Sequence, residues 1–344
     1  MNFRDKYLAK QQDNSSIMAE PPFPKIIKID ICNTCNYSCV FCPQSKYTGK
    51  VGNIDDELCM KIIKDAYEAG AREICLSSTG EPLLNPNLEK YIQHAKQTGY
   101  EYIFFNTNGY LMNKGRGESI LSAGVDSIKF SINAGSTENY KLVHGVDGGG
   151  YERVVENMIC LSKIRDEKQI NCKLYVSYVA IKPTLHEAKR LEDRLRTYVD
   201  DFIVMNANRR GGSICELDEN LFAGDDDYAY RYPCSQLFNN MYISAEGYVT
   251  ICAQDFENLT VVADLNQTDI VSAWNSKEFV TFRKRYLEKD LENTLCMNCV
   301  YGKNERVVPL NSEKAYFQED ARKIADLKDR INTLSLQIQE VDGR

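Results

Sequence analysis

Histidine is scarce in this 344-residue chain, with three in all, and tryptophan occurs once. His94, His144 and His186 are scattered, which leaves little room for an imidazole metal cage or relay; each reads as structural or exposed. No apolar run approaches the roughly 18 residues that a membrane span requires. The opening MNFRDKYLAKQQDNSS has no apolar signal core, so residues 1–24 are expected to be a poorly ordered extension of a cytoplasmic protein. Positive charge is also short: 42 Lys and Arg against 49 Asp and Glu give a formal net charge of −7, and no basic block stands out. That argues against a nucleic-acid backbone as the main ligand.

Cysteine, by contrast, is abundant. Thirteen is an odd number that fits a disulfide scaffold poorly. In a reducing compartment such a count points to metal or redox chemistry. Seven of the thirteen fall into two groups.

Between Lys25 and Asn208, strand-like and helix-like runs alternate. KIIKIDI (25–31), REICLSS (72–78), YIFFNT (102–107), DSIKFSIN (126–133), CKLYVSYVAI (172–181) and DFIVMNA (201–207) read as strands. Amphipathic stretches at 55–69, 85–99, 113–123, 151–166 and 186–199 read as helices between them. Six βα units imply a parallel sheet with right-handed crossovers. They are too few for the eight-stranded closed barrel and suit an α/β fold built as a partial (βα)6 TIM-like barrel or a doubly wound sheet. Residues 25–208 form that domain, 209–232 a Gly- and Asp-rich connector, 233–303 a cysteine-bearing module and 304–344 a tail. In the tail, Ile324, Leu327, Ile331, Leu334, Ile338 and Val341 repeat at spacings of three and four. Such a seam predicts an amphipathic C-terminal helix, lying on its own domain or pairing in a short homodimer coiled coil.

The first cysteine group, TCNYSCVFC, follows strand one and holds Cys35, Cys39 and Cys42. Three thiolates can ligate three irons of a cubane and leave the fourth open for S-adenosylmethionine (SAM). With Cys32 added, the same residues could instead make a closed four-thiolate zinc or ferredoxin-like site. The spacing Cys35-x3-Cys39-x2-Cys42, with Tyr37 and Phe41, resembles the signature loop of radical SAM enzymes. Three weaker elements follow at strand ends: Thr79-Gly80-Glu81-Pro82, Asn106-Thr107-Asn108-Gly109 and Ser131-Ile132-Asn133. The resemblance implies that Gly80 and Glu81 approach the SAM amino group and Ser131 its ribose. It likewise implies that the backbone of Phe41 approaches the adenine, with Tyr37, Asn108 and Asn133 close by.

The second group comprises Cys234 and Cys252, flanking a hairpin with its turn at Glu246-Gly247, and the CMNC pair Cys296 and Cys299. A zinc hairpin is one reading. The spacing Cys234-x12-Gly247-x4-Cys252, with SAWNSKEFVTFR (272–283) beyond it, also resembles a SPASM domain that binds auxiliary clusters. No cysteine follows Cys299, so the match is to the shortened "twitch" form found in the butirosin-pathway aminocyclitol dehydrogenase group. The cofactors so implied are two 4Fe-4S clusters and SAM.

That resemblance implies hydrogen abstraction from a small polar metabolite (a sugar, aminocyclitol or nucleotide-linked sugar), most simply oxidation of an alcohol to a ketone. An external flavodoxin or ferredoxin would donate electrons. Arg209, Arg210 or the connector tyrosines could serve as base or anion clamp. If Cys215 returned a hydrogen atom, the product would be an epimer. Cys32, Cys59, Cys75, Cys160 and Cys172 read as small core hydrophobes. HGVDGGG has no Lys after its glycines and so reads as a loop, not a phosphate cradle. A peptide-modifying maturase is the rival reading, disfavoured because only about 24 residues precede strand one. A non-catalytic iron–sulfur electron carrier or redox sensor is the other.

Overall fold

The structure is a computed structural model describing residues 15–47, 52–147, 149–207, 213–214, 221–222, 232–303, 305–316 and 318–342. Arg209, Arg210, Cys215 and the connector residues Tyr228 and Tyr230 lie outside the described residues. The first domain runs β1 (Ile26–Ile29), α1 (Asp56–Ala69), β2 (Glu73–Cys75), α2 (Leu88–Thr98), β3 (Tyr102–Thr107) and α3 (Lys114–Ala123). It continues through β4 (Ser127–Ser131), α4 (Thr137–His144), α5 (Gly150–Glu167), β5 (Lys173–Ala180), α6 (Lys182–Leu195) and β6 (Asp201–Asn206). The six strands pair in parallel in sequence order, as a partial barrel requires.

Alternation along each strand separates two environments. Ile27, Ile29, Ile74, Ile103, Phe105, Ile128, Phe130, Leu174 and Val176 are fully buried in the hydrophobic core. Their neighbours Lys28, Glu73, Cys75, Tyr102, Asn106, Lys129, Tyr175 and Ser177 line a cavity on the other face. A polar inner face does not pack solid, so the strands enclose a chamber. Register places Lys28, Cys75, Phe104, Ser127 and Lys173 side by side across five strands.

The cysteine module contributes α7 (Gln236–Asn239), β7 (Asn240–Ile243), β8 (Tyr248–Thr250), β9 (Val261–Asp264), α8 (Ile270–Trp274), α9 (Lys277–Leu287) and α10 (Leu295–Tyr301). The expected hairpin is present but continues the barrel. β7 pairs parallel with β1, Ile26 opposite Asn240 and Lys28 opposite Tyr242, and β8 and β9 extend the sheet antiparallel to nine strands. Ahead of the barrel, Pro21 accepts a hydrogen bond from the indole of Trp274 at 3.1 Å, fastening the segment before β1 to this module.

The last helix, α11 (Ala321–Asp342), lies against the barrel. Leu327, Ile331 and Leu334 are buried at 0%, 4% and 0% exposure in the same core. Of the two arrangements expected for the seam, these three side chains take the first, lying on their own domain.

Candidate active site

The first cysteine loop leaves the carboxyl end of β1 and is fixed by its backbone. Asn33 donates to the Gly52 carbonyl at 2.8 Å and accepts from the Gly52 amide on its side chain at 2.9 Å. Farther along, Ser38 and Val40 donate to the carbonyls of His144 and Val143 at the end of α4, at 3.0 and 2.9 Å. Cys39 thus sits between two anchored amides. Tyr37 is held by its hydroxyl, 3.1 Å from that of Tyr140. Cys35, Cys39 and Cys42 all line the chamber. Cys32 is 1% exposed, rests 3.1 Å from the Thr34 hydroxyl and is not among the lining residues.

The Gly-Glu-Pro turn is tied directly to this loop. Glu81 donates its amide to the Thr34 carbonyl at 2.8 Å. A Cβ on Gly80 would press on the Cys32 carbonyl oxygen and lie 2.5 Å from that of Thr34, so only glycine lets the two loops approach. The Glu81 carboxylate accepts from the Thr107 hydroxyl at 2.6 Å and the amides of Leu83 and Asn108 at 3.0 and 2.7 Å. Burial lifts its pKa to about 7. Asn108 in turn donates to the Asn36 side chain at 2.8 Å. Asn133 spends its side-chain oxygen on the Val179 amide at 2.7 Å. Phe41 is buried at 5% exposure, and Ser131 lines the chamber beside Ser177.

Cys234, Cys252, Cys296 and Cys299 line the same chamber from the opposite end. Because β7 runs parallel to β1, Cys234 ahead of it lies at the amino-terminal ends of the strands. β8 runs back, Thr250 opposite Tyr242, and brings Cys252 to that end as well. Four residues of β1 separate the two levels, roughly 13 Å at the usual strand rise. Tyr286 of α9 accepts the Cys234 amide at 2.7 Å, and the Thr294 side chain caps α10 through the Met297 amide at 3.2 Å.

The donor sets fit iron–sulfur clusters. Burial raises the thiols of Cys35, Cys39, Cys252 and Cys296, and neighbouring cysteines of the same group raise them further. Crowded, desolvated thiolates need a compensating positive centre. An all-sulfur donor set is the one that iron–sulfur clusters take.

Between the two ends, the chamber has a volume of about 1340 Å³. Lys28 Nζ lies 3.4 Å from the Tyr242 hydroxyl and 3.5 Å from Gln236 Oε1. Burial raises the Cys75 thiol above its ordinary value, opposed in part by the hydrogen bond to Ser77 and by the charges of Lys28 and Lys129. Sequence reasoning passed over both lysines; a lysine inside IIKI or SIKFS was the available signal, being polar at the inward position of an otherwise apolar strand. It read Cys75 as a small core hydrophobe, whereas the thiol lines the chamber, and His144 as structural or exposed, whereas the ring packs beside Cys39 at 3.0 Å.

Comparison with known proteins agrees with this geometry. Residues 29–176 match the model of the radical SAM superfamily, and residues 234–300 match the iron–sulfur cluster-binding SPASM domain. The chain thus carries a radical SAM domain followed by a SPASM iron–sulfur domain. Radical SAM and SPASM domains imply a 4Fe-4S cluster with SAM and an auxiliary iron–sulfur cluster. A "Probable GTP 3',8-cyclase" of Saccharolobus solfataricus is 31% identical over 38% of this chain and 42% of its own length. One of Metallosphaera sedula is 29% identical over 48% of this chain and 50% of its own. The chain thus spans about half the length of the curated relatives it matches. Among solved structures, BtrN in complex with AdoMet and 2-DOIA superposes with a TM-score of 0.52 at 16% identity, over 82% of this chain and 96% of that one. Streptococcus suis SuiB bound to precursor peptide SuiA gives 0.62 at 16% identity, over 92% and 79%. At such identities these two establish the fold alone. Among the described residues no helix is long and apolar enough to cross a membrane.

Proposed function

We propose that this radical SAM protein abstracts a hydrogen atom from a small polar metabolite held in the chamber and oxidises an alcohol there to a ketone. The observation that carries the reading is that both cysteine groups open into one cavity, from opposite ends. Cys35, Cys39 and Cys42 would hold the first cluster, and Cys234, Cys252, Cys296 and Cys299 the auxiliary one. When bound, these groups and SAM supply a 5′-deoxyadenosyl radical at one end and a one-electron acceptor at the other. An alcohol that loses a hydrogen atom from carbon, a proton from oxygen and one electron is balanced as the ketone.

The chain's own part is to bind, orient and exclude water. Ser77, Asn106, Ser131 and Ser177 offer hydroxyl and amide contacts toward the first loop. Lys28, carried by Gln236 and Tyr242 near the second group, places a cationic donor at the substrate oxygen side. Paired with Lys129 it suits a substrate bearing phosphate or carboxylate, and a nucleotide-linked sugar meets that description. The "GTP 3',8-cyclase" relatives support a substrate of that size and polarity. A chamber of about 1340 Å³ exceeds the roughly 300–1,000 Å³ of an ordinary ligand pocket, as a site for cofactors plus substrate should.

One observation favours epimerisation as a second reading. Cys75 is 2% exposed yet lines the chamber, and its thiol could return a hydrogen atom to the substrate carbon. The discriminating experiment is anaerobic turnover of deuterated sugars, aminocyclitols and nucleotide-linked sugars. Deuterium in 5′-deoxyadenosine together with a ketone product supports oxidation. An inverted alcohol that is lost in Cys75→Ala supports the epimerase, and deuterium transfer only from peptide substrates overturns both.

A further inference from the structure

His144 closes α4, where Gly145 caps the helix in the left-handed conformation at φ +63°. The ring is 1% exposed. It packs against Tyr140, tilted by 43° with 4.2 Å between centroids, and lies 5.3 Å from the ring of Tyr37. Both of its nitrogens are engaged. The Asn133 amide donates to Nε2 at 3.2 Å, and Nδ1 lies 3.0 Å from the sulfur of Cys39.

Those two contacts determine where the proton is. A nitrogen that accepts an N–H carries no hydrogen of its own, so Nε2 is bare and the doubly protonated ring is ruled out. A neutral imidazole must then carry its hydrogen on Nδ1, the nitrogen that faces sulfur. The contact is therefore Nδ1–H donating to Cys39. The backbone bonds from Ser38 and Val40 to the same helix end keep the sulfur and ring in register.

We infer that His144 is a positioning residue that raises the reduction potential of the first cluster through a hydrogen bond to the Cys39 sulfur. A donor to a ligating thiolate withdraws electron density and stabilises the more negative, reduced cluster. The ring also joins two parts of the site: its other nitrogen is held by Asn133 at the end of β4. The inference rests on Cys39 being a cluster ligand.

Two substitutions separate the donor from the brace. His144→Gln can put its amide oxygen where Nε2 stood, keeping the Asn133 contact while removing the donor to sulfur. His144→Asn can put its amide nitrogen where Nδ1 stood, keeping the donor and losing the brace. The measurement is a dye-mediated redox titration of the first cluster by electron paramagnetic resonance, in a Cys252→Ala, Cys296→Ala background lacking the auxiliary signal. With iron content equal to the parent, Gln should shift the reduction equilibrium at least tenfold toward the oxidised form, about 59 mV for one electron. Asn should stay within threefold of the parent. Equal potentials in all three proteins, or equal shifts in both variants, would overturn the inference. A parent protein with no cluster signal would overturn the ligand assignment and the inference with it.

Discussion

Arg330 of the C-terminal helix donates to the hydroxyl of Ser38, between two cysteines of the first loop, at 3.1 Å. Its second nitrogen donates to the Leu142 carbonyl at 3.0 Å, and Asp326 holds its Nε at 2.8 Å. One buried side chain thereby joins α11, α4 and the cysteine loop. Arg330→Met should leave the Leu142 carbonyl without that donor and cost about 1–3 kcal/mol. A lowered melting temperature with reduced iron retention is expected, whereas Arg322→Met on the exposed face should change neither.

Gly80 and Gly70 make a paired test of backbone crowding. Gly80→Ala forces a Cβ against two carbonyl oxygens of the cysteine loop, and neither is free to move. Loss of the bound cluster or of soluble protein is the expected result. Gly70 has φ +120° but open space around it, so Gly70→Ala meets backbone strain alone and should cost about 1–3 kcal/mol. Equal, mild melting shifts for the two would show that the loops are not packed as described.

Much of this architecture was legible in the sequence, for identifiable reasons. β3 and the helices α1 and α2 carry clear periodicity and, like the weaker α3, were read to within three residues. α4 was missed because its eight residues are short and followed by a glycine-rich run, although Ser136 caps it at the Asn139 amide and Gly145 stops it. α6 starts four residues earlier than expected because Pro183 is pre-organised for a first helical turn. The pairing of β7 with β1 joins residues more than two hundred positions apart, and local pattern carries no trace of it. His144 went unrecognised for the same reason: its contact with Cys39 depends on where α4 comes to rest.

A pH dependence follows from Asp30, whose carboxylate accepts from the Thr79 hydroxyl and is 3% exposed. Burial lifts its pKa to about 7, with repulsion from Glu246 adding to it. A carboxyl raised above its unfolded value contributes stability below about pH 4 that is lost as pH climbs through 7. Asp30→Asn should therefore gain on the wild type between pH 5 and pH 8, by at most about 3 kcal/mol, two units at roughly 1.4 kcal/mol each. Melting curves of the apoprotein at the two pH values test it, and a pH-independent difference would contradict it.

Lys28 separates substrate handling from radical generation. Lys28→Met removes a charge in the chamber wall beside the second cysteine group, at the end away from the first loop. Product formation should fall at least tenfold while SAM cleavage continues, now uncoupled from product. Parallel loss of both activities would mean that Lys28 acts on the first loop after all.

The most direct test of two cysteine groups with different tasks is 5′-deoxyadenosine release from SAM in reduced, reconstituted protein. Cys39→Ala should abolish it, whereas Cys252→Ala should keep cleavage within about tenfold of the wild type while losing product. Complete loss of cleavage in both variants would contradict the account.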